Sequence, residues 1–298
     1  MSDLDFSQPA EPAKKPAAPP TPVRQETTLY DPKLALKFFQ IAGELEVFSA
    51  GDTIFAEQAK AGGLFSKGAR IYLLVEGQVA LTLKQKPLSL VMPGEIFGEV
   101  AVIASAPRTA TATARKNCRV LSLDEKRFLG SLQQAPDFAL MLMSVMAQRL
   151  RMGVERMFAA RTGPAPIAAH AAGLDKKMLA ELQHEMGDPT PTPARAGETI
   201  VNKGAAGVTM FVVTTGRVAI SVDGMVVEHV GPGGTFGEMA LLGGAARAAS
   251  ATAEVDSTWL SVGRKDFLAT VKAKPAFGIA LLRSMSERIQ YVGKLLGE

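Results

Sequence analysis

Phe97-Gly98-Glu99-Val100-Ala101-Val102-Ile103-Ala104-Ser105-Ala106-Pro107-Arg108-Thr109-Ala110-Thr111 decides the reading of the whole chain, because it comes twice. The second copy is Phe236-Gly237-Glu238-Met239-Ala240-Leu241-Leu242-Gly243-Gly244-Ala245-Ala246-Arg247-Ala248-Ala249-Ser250. Both read Phe-Gly-Glu-x-Ala, two aliphatics, a run of small residues, and an Arg nine positions after the Glu. The two Glu and the two Arg share one offset of 139 (238 − 99 and 247 − 108). A rare local pattern repeated in register is an internal repeat, not an effect of composition.

The residue types suggest a chemistry. Gly ahead of a short apolar run lets the backbone approach a ligand with no Cβ in the way. If Glu99-Val100-Ala101 open a helical turn, its free N–H groups favour an anion. Arg108 and Arg247 bring a planar, always-charged fork suited to two phosphate oxygens. Glu99 and Glu238, acceptors only when ionised, cannot serve a phosphate but can take a ribose hydroxyl proton. The alternative is a structural ion pair between Glu99 and Arg108 on a turn. Retention of Gly, Glu, Ala and Arg in both copies favours the ligand.

This pattern resembles the phosphate-binding cassette of the cyclic-nucleotide-binding domain, the module shared by the catabolite activator protein, protein kinase A regulatory subunits and nucleotide-gated channels. The resemblance implies ligand-binding residues Phe97, Gly98, Glu99, Val100, Ala101, Arg108 and Thr109 in one half. In the other it implies Phe236, Gly237, Glu238, Met239, Ala240, Arg247 and Ala248. The fold it implies is mainly β with flanking helices: two β-rolls of the double-stranded β-helix or jelly-roll type, each closed by C-terminal helices.

Outward from the cassettes the register holds. Gly77 matches Gly216, Pro93-Gly94 matches Pro232-Gly233, Phe128 matches Phe267, Pro136 matches Pro275, and Arg149 matches Arg288. Gly51-Asp52-Thr53-Ile54-Phe55 and Gly197-Glu198-Thr199-Ile200-Val201 instead stand 146 apart (197 − 51), so the first copy carries seven extra residues (146 − 139) within 56–70, around Ala61-Gly62-Gly63. Short β-branched runs punctuated by Gly argue an antiparallel roll rather than a parallel sheet. A short helix is expected from residue 32 to about 46, and another from Leu174 to Met186. Closing helices are expected from Pro136 and Pro275, with Pro at a tolerated first position. Met143, Met146, Leu150 and Met157 make an apolar stripe on the first. Leu281, Leu282, Met285, Ile289 and Val292 make one on the second. Such stripes fit core packing or a seam between two subunits. The resulting division is a Pro/Ala-rich disordered tail (1–31), a first binding domain (32–162), a linker (163–173) and a second binding domain (174–298).

Composition excludes other classes. No apolar run reaches the ~18 residues of a membrane span. The acidic, then Pro-rich start is unlike a cleavable signal. The single Cys118 rules out an intrachain disulfide and fits a reducing, cytoplasmic compartment. His170, His184 and His229 are scattered without Cys partners, so no metal or cofactor is expected. Gly231-Pro232-Gly233-Gly234 misses the dinucleotide fingerprint spacing. A net charge of +4 is weak support for nucleic acid, and no helix-turn-helix is expected after Glu298.

The resemblance therefore implies a stand-alone receptor for a cyclic mononucleotide. Its layout is similar to the receptor half of a protein kinase A regulatory subunit, but it lacks the Arg-Arg-x-Ser/Ala inhibitor sequence. It is expected not to be an enzyme, not to bind DNA specifically, and to signal to a separate effector protein by moving its closing helices. The rival is a structural scaffold with vestigial sites. Thr109 after the first Arg, against Ala248 after the second, implies cyclic AMP at the second site and cyclic AMP or cyclic GMP at the first. A cyclic dinucleotide also stays open, and Tyr291 resembles the residue that lids the base in the second kinase-regulatory site.

Overall fold

At Asp31 the side chain accepts from Lys33 N–H at 2.8 Å, and Pro32 presets the first helical φ. Helix α1 (Pro32–Ala42) starts there and ends at Gly43. The computed structural model describes residues 30–59, 69–160, 173–244 and 246–297. Nearly all of the expected tail, most of the expected linker and the Ala61-Gly62-Gly63 insertion lie outside the described residues. The first helix is shorter than its apolar content suggested. Residues 44–48 become strand β1 (Glu44–Phe48), because they pair antiparallel with residues 118–122, where Glu44 and Glu46 also meet the buried Arg70 at 2.5 and 3.3 Å.

The first roll continues through β2 (Thr53–Phe55), β3 (Arg70–Glu76), β4 (Val79–Leu83), β5 (Lys86–Val91) and β6 (Ile96–Phe97). The short helix α2 (Glu99–Ile103) is followed by β7 (Thr111–Ala114), β8 (Cys118–Asp124), α3 (Glu125–Leu132) and the closing helix α4 (Pro136–Ala160). After α5 (Lys176–Glu185) the second roll repeats the order with β9 (Thr192–Ala194), β10 (Thr199–Val201), β11 (Thr209–Thr215), β12 (Val218–Val222), β13 (Met225–Val230) and β14 (Thr235–Phe236). Then come α6 (Glu238–Gly243), β15 (Ser250–Ala253), β16 (Ser257–Gly263), α7 (Arg264–Ala273) and the closing helix α8 (Pro275–Gly297).

Each roll is two four-stranded antiparallel sheets, ordered β1-β8-β3-β6 and β2-β7-β4-β5 in the first, β9-β16-β11-β14 and β10-β15-β12-β13 in the second. Period-two alternation turns one set of side chains inward between the sheets. Tyr72, Leu74, Phe97, Cys118 and Val120 fill the first roll. Phe211, Val213, Val230, Phe236 and Trp259 fill the second.

The helices join the halves. Phe38 stacks on Phe138 with centroids 3.7 Å apart, and this aromatic group runs into one core with Met143, Met146, Phe267, Phe277, Leu282 and Met285. Further along, Leu150 and Met157 of α4 pack against Val292 and Leu295 of α8. The two apolar stripes thus meet each other within one chain. Among the described residues, no helix is long and apolar enough to cross a membrane.

Candidate functional site

The turn before each short helix is built on a left-handed glycine. Gly98 has φ 79° and caps α2; Gly237 has φ 85° and caps α6. An L side chain is strained in that region. Space forbids one as well, since a Cβ on Gly98 would lie 2.8 Å from Arg108 Nη1 and one on Gly237 2.5 Å from Arg247 Nη1. The Arg guanidinium is therefore seated directly beneath its glycine.

Arg108 donates to Gly98 O at 2.8 Å and Arg70 O at 2.7 Å, and lies 4.1 Å over the Phe55 ring. Arg247 donates to Gly237 O at 2.9 Å and lies 5.3 Å from the Phe211 centroid. Neither guanidinium has a carboxylate within ion-pair distance among the described residues. Burial pushes both below the ordinary arginine value, and the more distant Glu99 and Glu238 pull the other way. Each is a desolvated cation, held by two neutral carbonyls at Arg108 and one at Arg247 together with a ring face, with N–H groups left over.

The Glu of each cassette is linked to the closing helix. Arg149 of α4 pairs with Glu99 Oε1 and donates to Ile96 O at 3.0 Å. Arg288 of α8 donates to Glu238 Oε1 at 2.8 Å, to both oxygens of Glu228 at 3.1 and 3.0 Å, and to Thr235 O at 2.5 Å. Burial opposes the Arg288 charge, but Glu228 and then Glu238 more than offset it, so its proton is held more tightly than in an ordinary arginine. In both copies the second Glu oxygen, Oε2, is buried and has no hydrogen-bond partner among the described residues. A buried carboxylate oxygen in that state is an acceptor waiting for a donor.

Glu and Arg line one cavity in each half. In the first, about 140 Å³, Gly98, Glu99, Val100, Ala101, Arg108 and Thr109 are walls. In the second, about 110 Å³, the walls include Phe236, Gly237, Glu238, Met239, Ala240, Arg247, Ala248 and Tyr291. The cassette residues expected from the sequence are thus brought together, with one departure. Phe97 lies behind its cavity, stacked on Tyr72 at 5.1 Å and fully buried between the sheets. The ion pair considered between Glu99 and Arg108 is not formed, because Glu99 turns to Arg149.

Sequence reasoning missed the far walls. The first cavity is lined by Ile289, Val292, Gly293 and Leu296 of α8, and the second by Leu150, Val154 and Met157 of α4. Each half roofs the other's cavity. Glu228 and its bond to Arg288 also went unnoticed; its counterpart in the first half is Ser89, so register alone gave no hint. Arg149 and Arg288 did leave a signal, being matched at the repeat offset. Among the described residues no cluster of His, Cys, Asp and Glu could hold a metal ion.

The sequence profile described as "Cyclic nucleotide-binding domain" matches residues 45–135 and 191–274, one copy in each roll. The chain belongs to this family. Among curated relatives, the cAMP-dependent protein kinase regulatory subunit of Eremothecium gossypii is 26% identical over 67% of this chain and 40% of the relative. The CRP-like cAMP-activated global transcriptional regulator of Mycobacterium tuberculosis is 28% identical over 35% of this chain and 46% of its own length. The chain thus spans less than half the length of these cyclic nucleotide-binding relatives. Among solved structures, cAMP-bound PfPKA-R (141–441) is 22% identical over 80% of this chain and 77% of its own, with a TM-score of 0.31.

Proposed function

We propose that the chain is a two-site receptor for a cyclic mononucleotide that signals to a separate protein through its closing helices. The observation that carries this is the partnerless Glu99 Oε2 and Glu238 Oε2, each sharing a cavity with a desolvated arginine. A ribose 2′-hydroxyl supplies the missing donor, and a cyclic phosphate beside it supplies the anion the arginine lacks. The two demands sit on one small molecule.

The signalling step follows from what else those groups hold. Glu99 and Glu238 are each tied to a closing helix by Arg149 or Arg288, so a ligand that draws on the Glu also acts on α4 or α8. It shifts the helix only by its differential affinity for the two poses. Because each helix roofs the other half's cavity, the sites are expected to couple, by ~1–3 kcal/mol for linked sites in general.

Cyclic AMP is the proposed ligand of the second site, with Ala248 beside the Arg and Tyr291 in the wall. Either cyclic AMP or cyclic GMP suits the first, where Thr109 offers a hydroxyl. The cAMP-dependent relatives support the choice. A single cysteine and the ligand class fit a cytoplasmic receptor. Calorimetric titration of cyclic AMP into the purified chain tests the reading. Two sites per chain are expected, and no heat or binding for either nucleotide would leave the scaffold alternative.

A further inference from the structure

The two nucleotide cavities differ most at one wall position. Arg156 of α4 lines the first cavity, half-buried, and makes no hydrogen bond or ion pair among the described residues. Glu99, the one carboxylate among the described residues of that wall, is taken by Arg149. Arg149 and Arg156 stand seven residues apart on α4, two turns of helix, so both face the cavity and the second guanidinium enters it ~10 Å farther along.

The second cavity is built differently at the same places. Leu295, buried, stands where Arg156 stands (295 − 156 is 139). In the roof, Val154 of the second cavity is answered by Gly293 of the first (293 − 154 is 139). A Cβ on Gly293 would meet nothing within 4 Å, so the roof is open there. The first cavity is also the larger, about 140 against 110 Å³. Its wall sets Arg108, Arg149 and Arg156 against Glu99, a positive excess. In the second, Arg247 and Arg288 are matched by Glu228 and Glu238.

We propose that the first site is a guanine site and that Arg156 reads its base. The inference rests on the nucleotide reading of that site and concerns which base it takes. With phosphate at Arg108 and ribose at Glu99, the base extends past Arg149 toward Arg156. A guanidinium carries donors only, in a planar fork. Guanine answers it with two acceptors, O6 and N7, whereas adenine presents N7 beside its N6 amino donor. In cyclic AMP donor would face donor, leaving a polar group unpaired. At the second site Leu295 opposes no donor to adenine.

The test isolates the first site in the Arg247→Gln chain and titrates it with cyclic GMP, cyclic IMP and cyclic AMP. Cyclic IMP keeps O6 and N7 but lacks the 2-amino group, so it separates Arg156 from Thr109. Cyclic GMP and cyclic IMP should both bind more tightly than cyclic AMP, by about 5- to 150-fold for a bidentate contact. Arg156→Leu, which copies the second half, should remove that preference. Arg156→Lys keeps the charge without the fork and should lose most of it. Equal affinity for cyclic AMP and cyclic GMP before Arg156 is changed overturns the inference and spares the receptor. So does a preference that survives undiminished in either variant, or one that cyclic IMP does not share, which assigns the reading to Thr109. A uniform loss of all three nucleotides in both variants also overturns it, because Arg156 then serves the phosphate or the fold. Binding of none of the three to the unaltered chain removes the receptor reading itself.

Discussion

Gly153 of α4 and Val292 of α8 are the same position of the repeat (292 − 153 is again 139), and they touch each other. A Cβ on Gly153 would lie 3.0 Å from Val292 Cγ1. Residues that meet their own counterpart mark a two-fold axis in a symmetric dimer. Here the axis is approximate and runs inside one chain. The missing side chain at Gly153 lets the helices cross closely, and the crossing lies between the two cavities.

Gly153→Leu should therefore push α4 and α8 apart. Overpacking of this kind costs about 1–3 kcal/mol, and a lowered thermal midpoint is expected. Ligand affinity should change at both sites together. A change confined to one site would show that the seam does not link them.

Arg108→Gln and Arg247→Gln should each remove one of the two binding events. Loss of a hydrogen bond to a charged group in a buried site is worth about 1.5–3 kcal/mol, or ~10- to 150-fold in Kd. Isothermal titration reads this directly. An unchanged stoichiometry and affinity in the double variant would sink the assignment.

Arg288→Ala should destabilise more than Arg149→Ala. Arg288 is 9% exposed at its side chain and its removal strands both Glu228 and Glu238, whereas Arg149 is 19% exposed and its removal strands Glu99. Breaking a buried pair costs about 3–5 kcal/mol. Urea unfolding of the two variants checks the order. Equal losses would mean that Glu228 finds compensation elsewhere.

Thr109→Ala should change the preference for cyclic GMP over cyclic AMP at the first site by about tenfold or less, because one hydroxyl bond is worth ~0.5–1.5 kcal/mol. Competition binding with both nucleotides measures it. If cyclic GMP affinity is untouched, Thr109 does not read the base.

What could be read in the sequence was the local part. The αL glycines, the short helices after them and the Arg nine residues later all follow from residue type and spacing within one turn. The resemblance also drew Phe97 toward the ligand, whereas its inward strand position buries it against Tyr72. The closing-helix stripes were legible, but periodicity does not say what covers a stripe. Their partner is set by packing between residues as far apart as Leu150 and Val292. Arg149 and Arg288 stood in plain register, yet their role depends on carboxylates 50 residues away in the chain. The overlong first helix has the same origin: residues 44–48 are held as a strand by pairing with residues 118–122, remote in sequence.

Each roll carries its own built-in reporter. Trp259, the one tryptophan, is packed inside the second roll, and Cys118, the one cysteine, is fully buried inside the first. Tryptophan emission thus follows the second roll alone, while the rate at which a thiol reagent labels Cys118 follows opening of the first. No label has to be engineered. Ligand added for one site can be scored by the protection it gives to the other roll's reporter, so communication between the halves becomes measurable in the unaltered chain.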